Sequence, residues 1–511
     1  MVSSDSRKAE QSRKSRTITR RDLFQNAGLA MAAAALPPLT VLCCRPSSAQ
    51  DGAPRDKSSV MSALSAYMSS AREKAMPDEA IELTKEHLLD TFAAMISGSE
   101  LHPGKAALKF ASAYPGEKVA SVVASNVVCG PIEAAFVNGI LAHSDETDDS
   151  HNLSHSHPGC AVVPAAFAAG ENFSINGTQM LRAVALGYDI GTRITMAMGG
   201  ERYENESHRS THSIAAYFGA AAAAGSAATL SAQQMRWLLS YTAQACSGLT
   251  AWRRDTEHIQ KAFAFAGMTA RSGVTSALIV QSGWTGVDDI FSGNDNFFLA
   301  YAPEADTSVL IDGLGKRYEV MRTDIKKWTV GSPIQAVLDA LVLLREKHPF
   351  TADQVQQVTA RLAPSEAATV NNRDIPDICV QHMIAVMLID GTVTFKSAHD
   401  QSRMKDAEVL QERAKVNLVP DDALEKYLPT RAALVEVTLT DGTQLSQLVE
   451  AVRGTTKNPM ARDEVVAKAR DLITPVLGAS ACNGLIEKLL SIETLNDVRG
   501  LRSLLQLGTG S

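Results

Sequence analysis

The chain has 511 residues and a formal net charge of −7, with 45% apolar, 21% charged and 5% aromatic residues. That length accommodates two or three domains, and the apolar and charged shares are those of a globular protein. The acidic balance leaves no electrostatic footprint for nucleic acid, and few aromatics beside abundant alanine favour close-packed helices over an aromatic-rich β-sandwich.

At the N-terminus, Thr19-Arg20-Arg21-Asp22-Leu23-Phe24 resembles a twin-arginine motif. An Ala-rich run from Ala27 to Leu36 comes next, then Ser47-Ser48-Ala49, a small-residue cleavage pattern. We expect residues 1–49 to be a signal peptide handed to the twin-arginine export machinery, with 50–57 a linker and the mature protein periplasmic. The apolar run is short for a bilayer and is cut off by Pro37-Pro38, so no stable membrane insertion is expected. Cys43 and Cys44 sit after Thr40-Val41-Leu42, a poor lipidation box. Beyond Ala49 the cysteines are Cys129, Cys160, Cys246, Cys379 and Cys482. An odd, dispersed set without a C-x-x-C pair argues against a disulfide framework; each reads as a small buried apolar residue.

The body begins near Ser58. Pro77 stands at a helix start, and Ile81, Leu83, His87, Leu88 and Phe92 recur at helical spacing. Ala161 to Ala169, Met180 to Ile190 and Ala215 to Ala228 are further Ala-rich helical runs, whose small side chains let helix axes approach closely. After Asp312 the character changes. Lys316 to Met321 reads as a strand, and Val355, Val358 and Leu362 suggest another. Leu434 to Leu439 alternates, Asp441-Gly442 supplies turn chemistry and Thr443 to Val449 returns, a hairpin signal. Arg462 to Leu477 and Leu485 to Leu505 read as helices again. The predicted fold is therefore mainly α. Both ends of the chain, 58–318 and 458–511, form a large all-helical domain, and 319–457 is an inserted smaller α+β domain.

Between the apolar helices ending at Ala142 and beginning near Gly159 lies a dense polar segment: His143, Asp145, Glu146, Asp148, Asp149, Ser150, His151, His155 and His157. Charge this dense is costly to desolvate. It belongs either on a solvated loop or in a cleft built for proton transfer. Histidine suits acid and base roles near neutral pH, and a neighbouring carboxylate fixes its tautomer. Metal binding is the competing reading, since histidine and aspartate are good ligands. The His-x-His spacing falls in a loop, however, without a His-Glu-x-x-His helix or a Cys/His knuckle. Three more polar stretches stand out: Ser207 to Ser213, with His208 and His212, before Phe218-Gly219; His258-Ile259-Gln260-Lys261; and Lys326-Lys327-Trp328.

Taken together, these residues resemble the MmgE/PrpD family, which includes 2-methylcitrate dehydratase, cis-aconitate decarboxylase and iminodisuccinate epimerase. The resembling pieces run in order along nearly the whole body: Phe136-Val137-Asn138-Gly139 with Ala142-His143, Asp148-Asp149-Ser150-His151, His157-Pro158 with Val163-Pro164-Ala165, and Phe218-Gly219-Ala220-Ala221. Ala266-Gly267 with Ala270 and Gly273, Trp284-Thr285-Gly286, Phe291-Ser292-Gly293, Lys326-Lys327-Trp328, Leu388-Ile389-Asp390-Gly391 and Asn458-Pro459-Met460 continue the series.

The resemblance implies a helical domain with a smaller α+β lid, a homodimer, and a cleft between the domains that is not known to need a metal or cofactor. It implies a lyase, a dehydratase or decarboxylase of a small polycarboxylate, with an isomerase as the neighbouring chemistry. A metal-dependent hydrolase and a non-catalytic binding protein are the readings from other classes. Glu146 stands where the family's acidic segment has its first Asp, and Ser150 where it has Thr. His157 matches the family's His-Pro histidine and Lys326 the lysine of the lid. The second histidine's register falls at Ser210, flanked by His208 and His212, of which His212 is favoured. The mid-chain lysine aligns with Ala262, one place from Lys261, and His382 replaces a tyrosine. The expected catalytic set is thus Glu146, Asp149, His157 and His212. The expected substrate-binding set is Ser150, His151, His208, Lys261, Lys326 and His382.

Overall fold

The computed structural model describes residues 59–507; the twin-arginine motif, the cleavage pattern and the 50–57 linker lie outside the described residues. The Asp78–Gly98 helix starts after Pro77 with Asp78 and Glu79 in its first turn, where negative charge meets the positive end of the helix dipole. The three Ala-rich runs are the helices Gly159–Phe173, Gly177–Met198 and Thr211–Ala227. Asn176 and Gln179 close a capping box on the second of these, and the third is buried along its whole length. At Gly191 an added Cβ would lie 2.4 Å from the Ala215 carbonyl oxygen and 3.0 Å from the Gly219 Cα. Absence of a side chain here is what lets the two backbones touch.

The Pro131–Ala142 helix packs against the Gly159–Phe173 helix and against a third segment. That segment runs from Ile259–Ala262 through a π turn, Phe263–Gly267, into the Met268–Gln281 helix. By length and hydropathy 259–281 would suffice to cross a membrane, but 61% of its most apolar stretch is buried inside the protein. Arg462–Leu490 lies along Asp78–Gly98 with a break at Gly478. Beyond it, the helix expected over 485–505 is instead divided. The 3-10 turns Ile492–Thr494 and Val498–Leu501 come next, and then a short Arg502–Leu505 helix, because the Asp497 carboxylate caps the Arg499 N–H and starts the chain afresh. All five described cysteines are free and buried.

A second apolar core runs from Trp328 to Val452. It joins the Ser332–Lys347 and Val380–Asp390 helices to a four-stranded sheet ordered Val416–Pro420, Val355–Leu362, Ala433–Leu439, Gln444–Val449. The first pair is parallel and the others antiparallel. The expected hairpin is present, with Val437 opposite Leu445 and Gly442 at φ 88 in its turn. The strand expected over 316–321 is not. That stretch enters a 3-10 turn, Glu319–Arg322. Its backbone is committed to side chains rather than to a ladder: the Glu319 N–H donates to Asp189 at 2.6 Å, and Arg317 and Arg322 both reach the buried Glu319 carboxylate.

Core membership changes between Ile325 and Trp328, beyond the residue 319 boundary read from the sequence, and changes back between Val452 and Met460. The two crossing segments clasp each other. The Ile325 N–H donates to the Gly454 carbonyl at 3.0 Å, while Ser150 and Asp324 exchange both backbone bonds. Gly454, at φ 99, sits where a Cβ would fall 1.9 Å from the Ile325 oxygen.

The Gly191 contact yields a test. Gly191→Ala should destabilise the protein by about 1–3 kcal/mol through overpacking, read as a lowered urea midpoint; an unchanged midpoint would show that the two helices can separate freely.

Candidate active site

The acidic segment is buried, with Asp145, Glu146, Asp148 and Asp149 all withdrawn from solvent. Burial on this scale is tolerable only because each carboxylate has its own partners. Asp149 bonds the His87 Nδ1 at 2.9 Å, accepts the Tyr188 hydroxyl, and takes the Gly159 N–H at 2.9 Å, capping the helix that begins there. Asp148 bonds the His143 Nδ1 at 2.8 Å, and its other oxygen lies 3.4 Å from the His157 Nδ1 and 3.7 Å from the Lys326 Nζ. Glu146 forms an ion pair with Lys261, and also lies near His258 at 3.9 Å and Lys326 at 3.8 Å. Against the cost of burial, Lys261 and Lys326 hold the Glu146 carboxyl well below the usual range, and the His143 and His157 rings beside Asp148 lower that carboxyl likewise.

His157 is fixed in one tautomer. Its Nδ1 donates to the Asp149 backbone carbonyl at 2.6 Å, which leaves Nε2 as the nitrogen with a lone pair. Burial lowers the His157 pKa and drives that of His212 well down, so both rings are neutral at pH 7. Phe265, carried on the π turn, is the surface they share. It stacks on His212 at 4.2 Å and on His143 at 4.7 Å, while His157 and His212 lie 5.2 Å apart with planes at 26°.

A cavity of about 460 Å³ opens over these groups. One wall carries Glu146, His157, His212, His258 and Lys261; the facing wall comes from the second core, with Ser332, Arg373 and Arg431. Lys326 does not line this cavity. It sits behind Glu146 and Asp148, donating to the Glu146 carbonyl at 2.8 Å. Lys261 lies beside Glu146 despite its one-residue offset in sequence; the π turn just after it takes up an extra residue, the scale of shift needed.

Other expected residues lie elsewhere. The Asp149 carboxylate is turned to His87, Tyr188 and a helix end, so it supports His157 through its carbonyl rather than its side chain. Ser150 is tied by its backbone to Asp324 and borders a separate small cavity beside Lys326. His151 is buried between Ser154 at 2.9 Å and Glu319 at 3.3 Å, away from the large cavity. His208 is exposed at the end of the Gly200–Ser207 helix, leaving His212 as the flanking histidine that faces the cavity. His382 is buried in the second core with neither ring nitrogen bonded, and burial pushes its pKa down to about 4.

Sequence reasoning passed over four contributors. His143, His155 and His258 crowd the imidazole cluster, and only their place in polar stretches pointed to them. Lys468, from the C-terminal helix, donates to the Thr147 carbonyl at 3.0 Å and pairs with Asp90 at 2.6 Å; nothing in the sequence linked it to this loop.

Among the described residues two clusters have metal-ligand composition: His143, Asp148 and Cys160, and His155, Glu204 and His212. Neither donor set suits a cation well. Burial raises the Cys160 thiol well above its usual pKa. In the second cluster one Glu204 oxygen meets Arg253 at 2.8 Å and the other accepts from Thr211 at 2.9 Å.

Residues 62–310 match the MmgE/PrpD N-terminal domain and residues 328–492 the MmgE/PrpD C-terminal domain. The chain belongs to the MmgE/PrpD family. Among its relatives is the cis-aconitate decarboxylase-like protein oryM of Aspergillus oryzae, 25% identical over 483 residues, covering 87% of this chain and 97% of that one. A cis-aconitate decarboxylase of Aspergillus terreus is 22% identical, covering 88% and 96%, and that of Homo sapiens is 24% identical, covering 84% and 91%. The break between the two family domains, 311–327, precedes the point where the second core begins.

The site gives acid sensitivity a direction. Burial, and secondarily Lys261, lowers His258 from 6.5 to about 3. A depressed folded pKa contributes stability that is complete above the unfolded value and lost as pH falls. His258→Gln should therefore make the fall in melting temperature between pH 6.5 and 4 shallower in scanning calorimetry. An equally steep fall would mean that His258 takes up its proton without cost.

Proposed function

We propose that this protein is a lyase, a dehydratase or decarboxylase, acting on a small polycarboxylate by acid/base chemistry of its own side chains. The observation that carries this reading is the His157 imidazole. Its Nδ1–H is committed to the Asp149 carbonyl, and its ring lines the cavity beside Lys261. In dehydration, Nε2 of His157 takes the proton α to a substrate carboxylate. The electron pair moves toward that carboxylate, and the β-hydroxyl leaves as water with the proton that His157 has just taken, while the neutral His212 ring packs beside it. In decarboxylation, carbon dioxide leaves, its bonding pair stays on carbon, and a solvent proton relayed through Nε2 of His157 quenches that pair. Either path builds negative charge on the remaining carboxylate. Lys261 meets that charge directly, and Lys326 does so through the field behind Glu146. Glu146 holds both ammonium groups in place, and Arg373 on the facing wall offers charge for a further carboxylate, its neighbour Arg431 being paired with Glu366 at 2.8 Å. Named relatives that are cis-aconitate decarboxylases support the same class.

The placement of His157 and His212 favours a lyase over an epimerase. Epimerisation needs proton donors and acceptors on opposite faces of one carbon, whereas these rings are stacked on the same wall.

A screen of di- and tricarboxylates in deuterated water, read by NMR for α-proton exchange and product, tests the proposal. On the substrate found, His157→Ala should lower turnover about 10²–10⁴-fold and Lys261→Ala about 10²–10³-fold. Full turnover in both variants would overturn the assigned roles.

We also propose twin-arginine export to the periplasm and a homodimeric state, on the sequence pattern and the family resemblance. Replacing Arg20 and Arg21 by Lys should retain the protein in the cytoplasm on cell fractionation. Continued export would refute that route.

A further inference from the structure

Outside the cavity, Asp145, Asp377 and His399 meet at the junction of the two cores. The Nε2 of His399 lies 3.0 Å from an Asp145 oxygen and 3.8 Å from an Asp377 oxygen. The closer contact is an ion pair rather than an aligned hydrogen bond. Its Nδ1 donates to the Phe395 carbonyl at 2.8 Å, so Nε2 is the nitrogen turned to the carboxylates. Both aspartates are buried. The acid/base scheme above uses none of the three.

Their positions in the chain give the cluster its reach. Asp145 immediately precedes Glu146 and is pinned by Thr147, whose N–H and hydroxyl both donate to its carboxylate. Asp377 lies between Ile375 and Ile378, which line the cavity. Its carbonyl accepts the Gly331 N–H at 2.9 Å, the residue that opens the Ser332–Lys347 helix of the facing wall. His399 comes directly after the Phe395–Ala398 turn, which is tied to the C-terminal helix through Asp471. One imidazole thus joins the base-bearing loop to the wall opposite.

We propose that Asp145, His399 and Asp377 form a buried proton-holding clamp that docks the second core onto the Glu146 loop, with Asp377 a positioning residue that weakens the clamp when it ionises. The groups facing Asp377 are His399, Asp145, Glu146 and Lys261. Two carboxylates beside one imidazolium leave an excess negative charge in a dry place, and the lower-energy solution is to keep a proton on one of them. Asp377 is the candidate, since burial raises it to about 7, while the carboxylates raise His399 to about 9 against its own burial. Ionisation of Asp377 then sets three carboxylates near one another, Asp145, Glu146 and Asp377, and pushes the walls apart. The clamp is independent of the proposed reaction except where activity is the readout.

The test uses the full chain with ¹³C-labelled histidine. His399→Gln identifies the His399 ring signal, which should remain that of an imidazolium through pH 8, with a small inflection near pH 7 that Asp377→Asn removes. Hydrogen exchange, corrected for its intrinsic pH dependence, should rise at least threefold in 375–400 between pH 6 and 8.5 in the parent and stay level in Asp377→Asn. On any substrate found, Asp377→Asn should flatten the neutral limb of the kcat profile while leaving KM unchanged. A His399 signal that titrates as a free imidazole, an inflection that persists in Asp377→Asn, or exchange indifferent to pH in the parent each overturns the clamp. Absence of α-proton exchange with every acid tried would count against the lyase reading alone, because the NMR and exchange results stand without a substrate.

Discussion

The structure depends on how four carboxylates close together in the chain, Asp145, Glu146, Asp148 and Asp149, are neutralised out of water. No single element does this. His87 comes from the Asp78–Gly98 helix, His143 and His157 from the ends of the loop itself, and Lys261 from the turn before the π segment. Lys326 comes from a crossing segment and His399 from the second core. Partners from all these elements are needed, because a buried carboxylate left alone would cost more than a typical hydrogen bond returns. The loop therefore acts as the meeting point of the fold, and the cavity lies where those partners converge.

The aromatic floor has a related effect. Phe265 spreads against two imidazoles and keeps water from them. With desolvation opposing charge, His157 and His212 stay neutral while the carboxylates beneath them stay ionised. Bases above and anions below is an arrangement of opposite protonation states within a few ångströms, set by environment rather than by residue type.

Much of this architecture was legible in the sequence. Ala-rich runs pointed to the central helices because their period and small side chains fit only close helix packing, and the Asp441-Gly442 turn specified a hairpin through local chemistry alone. The stretch 316–321 misled because its alternation is real but its backbone is captured by Asp189 and its carboxylate by arginines, interactions that no local pattern encodes. The site divides in the same way. Glu146 was readable from its dense acidic and imidazole segment, and His157, His212 and Lys261 from polar stretches that match or flank the family's motif positions; all four share the cavity. His151 and His382 have the same chemistry but are buried elsewhere, and only the three-dimensional path of the chain separates the two groups.

Lys468 adds a consequence for how the molecule comes together. Its ammonium group reaches the Thr147 carbonyl and Asp90 from a helix near the end of the chain. Without that helix the Thr147 carbonyl loses a donor, and an ionised Asp90 would be buried with no cation beside it, a costly arrangement. Early and late parts of the described chain are therefore coupled through one ammonium group, so that loosening of the C-terminal helix would be felt in the loop beneath the pocket.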